Sequence, residues 1–178
     1  ESHPDIVVLV VDGTNLKRSL FLASQIIDLK IPCVLALNMM DMVKENKIDI
    51  QLVELESRLG VRVIPINARN EEGIEELKQA LLSTIPVPLN AIFETDQLAP
   101  KLLKNLSELL DLKSNYAALQ IAHHADALDD FHYSAELKTK VRTLLEEHDI
   151  DYNKLQSFET LERYKVIQEI LSHALSQT

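Results

Sequence analysis

Two patterns of hydrophobic spacing divide this chain. As far as residue 85, short, largely apolar runs alternate with stretches whose apolar residues recur every three or four positions. The runs are residues 6–11, 33–37 and 61–66. Their length and β-branched content predict strands, and the first two lack the polar alternation of a half-exposed strand, which predicts burial on both faces as in a parallel sheet. Pro65 cannot donate to a ladder, so the third strand is expected at a sheet edge or to end there. Helical spacing lies between the runs and predicts helices over residues 16–29, 49–59 and 73–85. Thr14 or Asn15 is expected to cap the first, Ile31-Pro32 to end it, and Gly60 to cap the second. Strand–helix alternation with short connections gives an α/β fold, a parallel sheet of three strands with right-handed crossovers.

After Pro86-Val87-Pro88, a stiff connector, only the helical spacing persists. Helices are expected over residues 98–112, from a cap at Asn115 to residue 128, from a cap at Ser134 to residue 145, and over a last long segment introduced by Asp151 or Ser157. The expected organisation is therefore an α/β part over residues 1–86 and an all-α helical bundle over residues 87–178.

Composition narrows the function. The chain has 178 residues, 46% of them hydrophobic and 26% charged, enough for a proper core. Its net charge of −10 argues against nucleic acid as a partner, since phosphate binding needs a basic footprint. One Cys excludes an internal disulfide framework, and no apolar run approaches the ~20 residues that span a bilayer. The chain opens without Met and runs almost directly into a strand, a pattern expected of part of a longer protein.

The chemistry concentrates at the ends of the second and third strands. Residues 35–41 read Leu-Ala-Leu-Asn-Met-Met-Asp, an Asn-x-x-Asp pattern immediately after a buried strand. An ionised Asp41 accepts hydrogen bonds and donates none, which matches the two adjacent donors of guanine, N1–H and the exocyclic amine, and mismatches adenine. Asn38 donates and accepts, which suits the base N7 and a neighbouring loop. Ligands of parallel sheets sit at the carboxyl ends of the strands. There the third strand delivers Asn67-Ala68-Arg69: the small Ala68 lets its N–H approach the guanine O6, and the planar Arg69 can lie near base or ribose. The pattern alone is common; its place in two adjacent strand ends makes guanine binding by Asn38, Met39, Asp41, Asn67, Ala68 and Arg69 the leading reading.

Other polar residues have plainer readings. Asp12 is expected to serve as a turn or capping residue. Cys33 is expected in the core. His123, His124, Asp126, Asp129, Asp130 and His132 cluster in sequence, but neighbours along a helix face apart, so a solvated helix end is expected and no metal site is assigned. No catalytic residue is assigned.

With these residues in view, residues 10–16 and 31–41 resemble the cytosolic GTP-binding domain of the ferrous iron transport protein B family. Most GTP-binding proteins carry Lys in the second position of the Asn-x-x-Asp motif; here Met39 would supply an apolar stem against the base. Asn67-Ala68-Arg69, followed by Gly73-Ile74-Glu75-Glu76-Leu77, is similar to the last nucleotide-contacting loop and its helix, and Arg163-Tyr164 resembles the helical extension. The resemblance implies a partial P-loop GTPase sheet followed by a helical regulatory domain, in the part of a bacterial iron transporter that faces the cytoplasm at the inner membrane.

The family's phosphate loop Gly-x-x-x-x-Gly-Lys-Ser/Thr, its magnesium-holding switch and its Asp-x-x-Gly have no match in these 178 residues. GTP or GDP is thus the expected ligand of an intact parent, while this chain is expected to hold nucleotide weakly and hydrolyse none. The expected partners are the missing N-terminal half of the GTP-binding domain and the membrane part. Without that half, strand 6–11 is an open edge on which self-association is expected. Two alternatives are a fragment of another translation-factor-related GTPase, and a non-catalytic interaction module whose base-reading motif is vestigial.

Overall fold

A computed structural model describes residues 4–95, 98–148 and 150–176. Three strands, β1 (Val7–Asp12), β2 (Cys33–Asn38) and β4 (Arg62–Pro65), form a parallel sheet in the order β1–β2–β4. Val7 lies opposite Cys33, Asp12 opposite Asn38, Val34 opposite Arg62, and Leu37 opposite Pro65. Pro65 meets both expectations at once, ending a strand that is itself an edge.

Side-chain alternation fixes what each face buries. Leu9, Val11, Leu35, Leu37 and Val63 share one face with α1 (Leu16–Asp28), α3 (Leu52–Leu59) and the end of α8 (Tyr152–Ala174). Val34, Ala36, Ile64 and Ile66 share the other with α4 (Ile74–Leu81). β2 is buried on both faces as expected. β1 is not: Val8 and Val10, in register with Val34 and Ala36, are 37% and 66% exposed, because α4 covers only β2 and β4. An unbroken apolar run reports that both faces are suited to burial, not that both are covered.

Local sequence sets the ends of these elements. Asp12 Oδ1 accepts from Thr14 N (2.8 Å) and Thr14 Oγ1 (2.7 Å), so Asp12 holds the turn after β1 and neither Thr14 nor Asn15 caps α1 through its side chain. Gly60, at φ 66°, closes α3 as expected. Two elements escape the hydrophobic pattern. Helix α2 (Met40–Glu45) is short and buries only Val43. Residues 49–50 open no helix but form β3 (Asp49–Ile50), which pairs antiparallel with β5 (Leu175–Ser176). α4 stops at Leu81, ahead of the expected residue 85.

The chain divides into two compact units at Phe93 and Glu94, and the first unit takes up the chain again from Arg163. The boundary expected at residues 86–87 thus falls earlier, and the last turns of α8, expected with the bundle, pack in the α/β unit. Arg163 is fully buried there and donates from Nη1 to Asp28 Oδ2 (2.6 Å) and Ser24 Oγ (3.0 Å). Asp28 also accepts from the amides of Ile92 (2.6 Å) and Phe93 (3.3 Å). Burial pushes the Asp28 carboxyl up, and Arg163 and the two amides pull against it. Tyr164 stacks on Phe21 with ring centroids 4.7 Å apart.

The second unit is helical, as expected: α5 (Pro100–Leu110) packs against α6 (Asn115–His123) and α7 (Ala135–Glu146), with the first turns of α8. Ser114, not Asn115, caps α6, and residues 125–130 form a 3-10 helix in place of a continuation. Ser134 and Asp151 cap α7 and α8. Among the described residues no helix is long and apolar enough to cross a membrane.

Candidate functional site

The six candidate residues lie at the carboxyl ends of β2 and β4. Asn38 closes β2, and its Oδ1 accepts the N–H of Ala68 at 3.0 Å, tying the two loops across 30 positions of sequence. The next residue, Met39, has a left-handed backbone (φ 65°) and an exposed side chain. That turn starts α2, in which Val43 N–H returns to Met39 O (3.0 Å) and Met40 N–H reaches Ile66 O (3.4 Å). Asp41 follows in the first turn, exposed.

The second loop is built around Asn67. Its N–H donates to Glu72 O (2.9 Å), and its carbonyl accepts from Asn70 N (3.2 Å) and Glu72 N (3.1 Å). Its Oδ1 accepts from Arg69 N (3.2 Å). The residue is 3% exposed, and its Nδ2 is buried without a partner. A buried donor left unmade costs about 1–3 kcal/mol, so the loop holds Asn67 in place against a price. Ala68 and Arg69 are exposed beside it.

One expectation changes. The Ala68 N–H, expected to face the guanine O6, is taken by Asn38. The tie uses the acceptor of Asn38 and makes that residue the link between loops.

Two glycines shape the site through close approaches that the sequence does not show. A Cβ on Gly13 would lie 2.7 Å from Val43 Cγ2 and 3.0 Å from Asn38 O, so only glycine lets the turn after β1 approach α2. Gly73 has φ 73°, and a Cβ there would lie 2.3 Å from Pro65 O. It lets the loop from β4 fold back before α4. The available signal was their scarcity: the chain has only three glycines.

Cys33 takes the core position expected of it, and burial pushes its thiol up to about 11, away from thiolate reactivity. Among the described residues no group of three or more His, Cys, Asp or Glu is placed to hold a metal ion.

The comparisons with known proteins converge. The model of the family described as ferrous iron transport protein B matches residues 1–81. The Fe(2+) transporter FeoB of Escherichia coli K12 is 44% identical over 77 residues, 43% of this chain and 10% of the relative; that of Salmonella typhimurium LT2 is 42% identical over the same length. The matched stretch therefore spans a tenth of the length of these curated relatives. Among solved structures, the cytosolic domain of L. pneumophila FeoB is similar over 99% of this chain and 70% of that one, with 28% identity and a TM-score of 0.72. The mGMPPNP-bound NFeoB of S. thermophilus shares the fold at TM-score 0.73 and 23% identity, over 99% of this chain and 70% of that one.

Proposed function

We propose that this chain, whose residues 1–81 match the ferrous iron transport protein B family, is the guanine-reading part of the cytosolic portion of a ferrous iron transporter. The observation that carries this reading is the Asn38–Ala68 bond, which unites the two loops at adjacent strand ends. In this reading Asp41 accepts from guanine N1–H and the exocyclic amine. Asn38 spends Oδ1 on the loop and turns Nδ2 to the base N7. Met39 lies along one face of the base, and Arg69 lies near base or ribose.

The cytosolic domain of T. maritima FeoB is solved in a GDP form and the NFeoB of S. thermophilus bound to mGMPPNP, which supports a guanine nucleotide as the ligand here. The residues that handle phosphate and magnesium in such proteins have no match in this sequence, so base contacts alone hold the nucleotide and binding is weak. The chain contributes no hydrolytic group. In the parent, the open edge of β1 and its exposed Val8 and Val10 take the remainder of the GTP-binding domain; alone, the same edge pairs with a second copy of this chain. Iron passage belongs to the membrane part of the parent, on whose cytoplasmic face this portion sits.

Calorimetry with GDP and ADP tests the reading. GDP should bind weakly and ADP about tenfold more weakly or worse, since adenine leaves the Asp41 carboxylate mismatched. Equal affinity for the two would remove guanine reading.

A further inference from the structure

The segment that follows the base-reading residues leads directly to the seat of the last helix. Met39 and Lys47 both have left-handed backbones, at φ 65° and 54°, although neither is glycine. L-residues enter that region reluctantly and stay only where their surroundings enforce it. Helix α2 lies between the two, with Asp41 in its first turn and Val43 as its one buried residue. Val43 rests on Gly13, where not even a single Cβ would fit. Past Lys47, Ile48 N–H bonds back to Val43 O (3.0 Å), joining α2 to the start of β3. β3 pairs with β5, and Gln51 N–H donates to Ala174 O at 2.8 Å. Ala174 is the fully buried last residue of α8, and Ile50 and Leu175 pack against the same core. One stretch, residues 39–51, therefore holds the base-reading carboxylate at one end and the last turn of α8 at the other.

We propose that α2 is a pivot that couples occupancy of the base site at Asp41 to the seating of the last turn of α8 on β3. The proposal rests on the guanine-reading function above and names its regulation. A base held by Asp41 fixes the first turn of α2. With Val43 as fulcrum and Lys47 as the second hinge, that constraint reaches β3 and the β3–β5 pair. Linkage makes the effect reciprocal: unseating the end of α8 weakens base binding by the factor with which the base strengthens the seat.

Hydrogen exchange on the whole chain tests this, with Gln51→Pro as the probe. Gln51 has φ −80° and follows an extended residue, so Pro is tolerated; it removes the N–H that holds Ala174 O and, with the side chain, the Nε2 donor to Asp49 Oδ2 (2.9 Å). Gln51→Ala controls for the side chain. Saturating GDP should slow exchange at residues 49–51 and 174–176 by about fivefold or more, the low end of couplings between sites, and Gln51→Pro should weaken GDP binding by the same factor. Without nucleotide, Gln51→Pro should speed exchange at residues 40–43 where Gln51→Ala does not. If GDP protects residues 38–41 and Ala68 but leaves residues 174–176 unchanged, the coupling is overturned and base reading stands. If GDP protects nothing, base reading fails, and the nucleotide-free comparison decides the pivot: faster exchange at residues 40–43 supports it, unchanged exchange overturns it.

Discussion

Asp28 and Arg163 lie 135 positions apart and form a fully buried ion pair, with Arg163 Nη1 donating to Asp28 Oδ2 at 2.6 Å. Asp28 also receives the amides of Ile92 and Phe93, and the guanidinium lies 5.2 Å from the Phe93 ring centroid. One carboxylate thus joins the end of α1, the segment after α4 and the later turns of α8. A buried pair gains little over apolar residues of the same volume, but removing one partner leaves a costly charge. Asp28→Asn and Arg163→Met should each destabilise the chain by about 3–5 kcal/mol, and the double change Asp28→Leu with Arg163→Met should recover much of the loss. Urea denaturation of the three variants checks this; single losses under about 1 kcal/mol would mean the pair is not what fastens α8.

A change of one atom pair at Asp41 should redirect the base site. Asn in its place offers one acceptor and one donor. Guanine presents two donors, so Asp41→Asn should lower GDP affinity on the order of 100-fold, the loss of two hydrogen bonds to a charged group at about 1.5 kcal/mol each. Xanthine keeps N1–H and replaces the exocyclic amine by a carbonyl, which suits the amide. Xanthosine diphosphate should therefore bind the variant better than GDP does. Competition between the two diphosphates on wild type and variant reads the outcome; an unchanged preference would take Asp41 out of the site.

Asn38, Asp41 and Asn67-Ala68-Arg69 were legible in the sequence because each follows a strand that announces itself by its own composition. What escaped was whatever depends on a distant partner. Residues 49–50 form a strand only because residues 175–176 lie beside them. Nothing in the local pattern around Arg163 and Tyr164 points to Asp28 and Phe21, which lie far away in the sequence. The Ala68 N–H read as a base contact because the spacing of the motif does not reveal that Asn38 reaches across to take it. Helix α2 buries one residue, too few to leave a period.

The helical unit carries its own dependence on pH. His123 Nε2 is buried without a partner, and its ring stands edge-on to Tyr152, centroids 6.3 Å apart, whose hydroxyl is also buried without a partner. Burial pushes His123 below its ordinary value near 6.5; the charge of Glu159 pulls it back up, and His124 pushes it further down. The folded value is depressed, so the unfolded chain binds the proton more readily. The stability this group contributes is present above 6.5 and is lost as pH falls through the lowered folded value. His123→Phe, which removes the titration and the orphaned nitrogen, should flatten the acid limb of stability from pH 6.5 downward. Denaturant midpoints of wild type and variant across that range check it; parallel curves would assign the limb to other groups.

The two edges of the sheet are treated differently, and the difference predicts association. On β4 the outward amide of Val63 is taken by the Glu56 carboxylate at 2.9 Å, and Pro65 ends the strand without a donor. Such devices keep an edge from recruiting another chain. β1 has neither. It runs six residues, carries no charge before Asp12, and leaves Val8 and Val10 exposed on the face that α4 does not reach. A second copy can extend the sheet at that edge and cover those valines in the same step. Sedimentation velocity should show a weight-average mass rising with concentration above the 20.2 kDa of one chain. Val10→Lys places a charge on the most exposed position of the strand and should hold the chain at that mass, while Val53→Lys, an equally polar change on α3, should not. Equal association of the two variants would place the contact elsewhere.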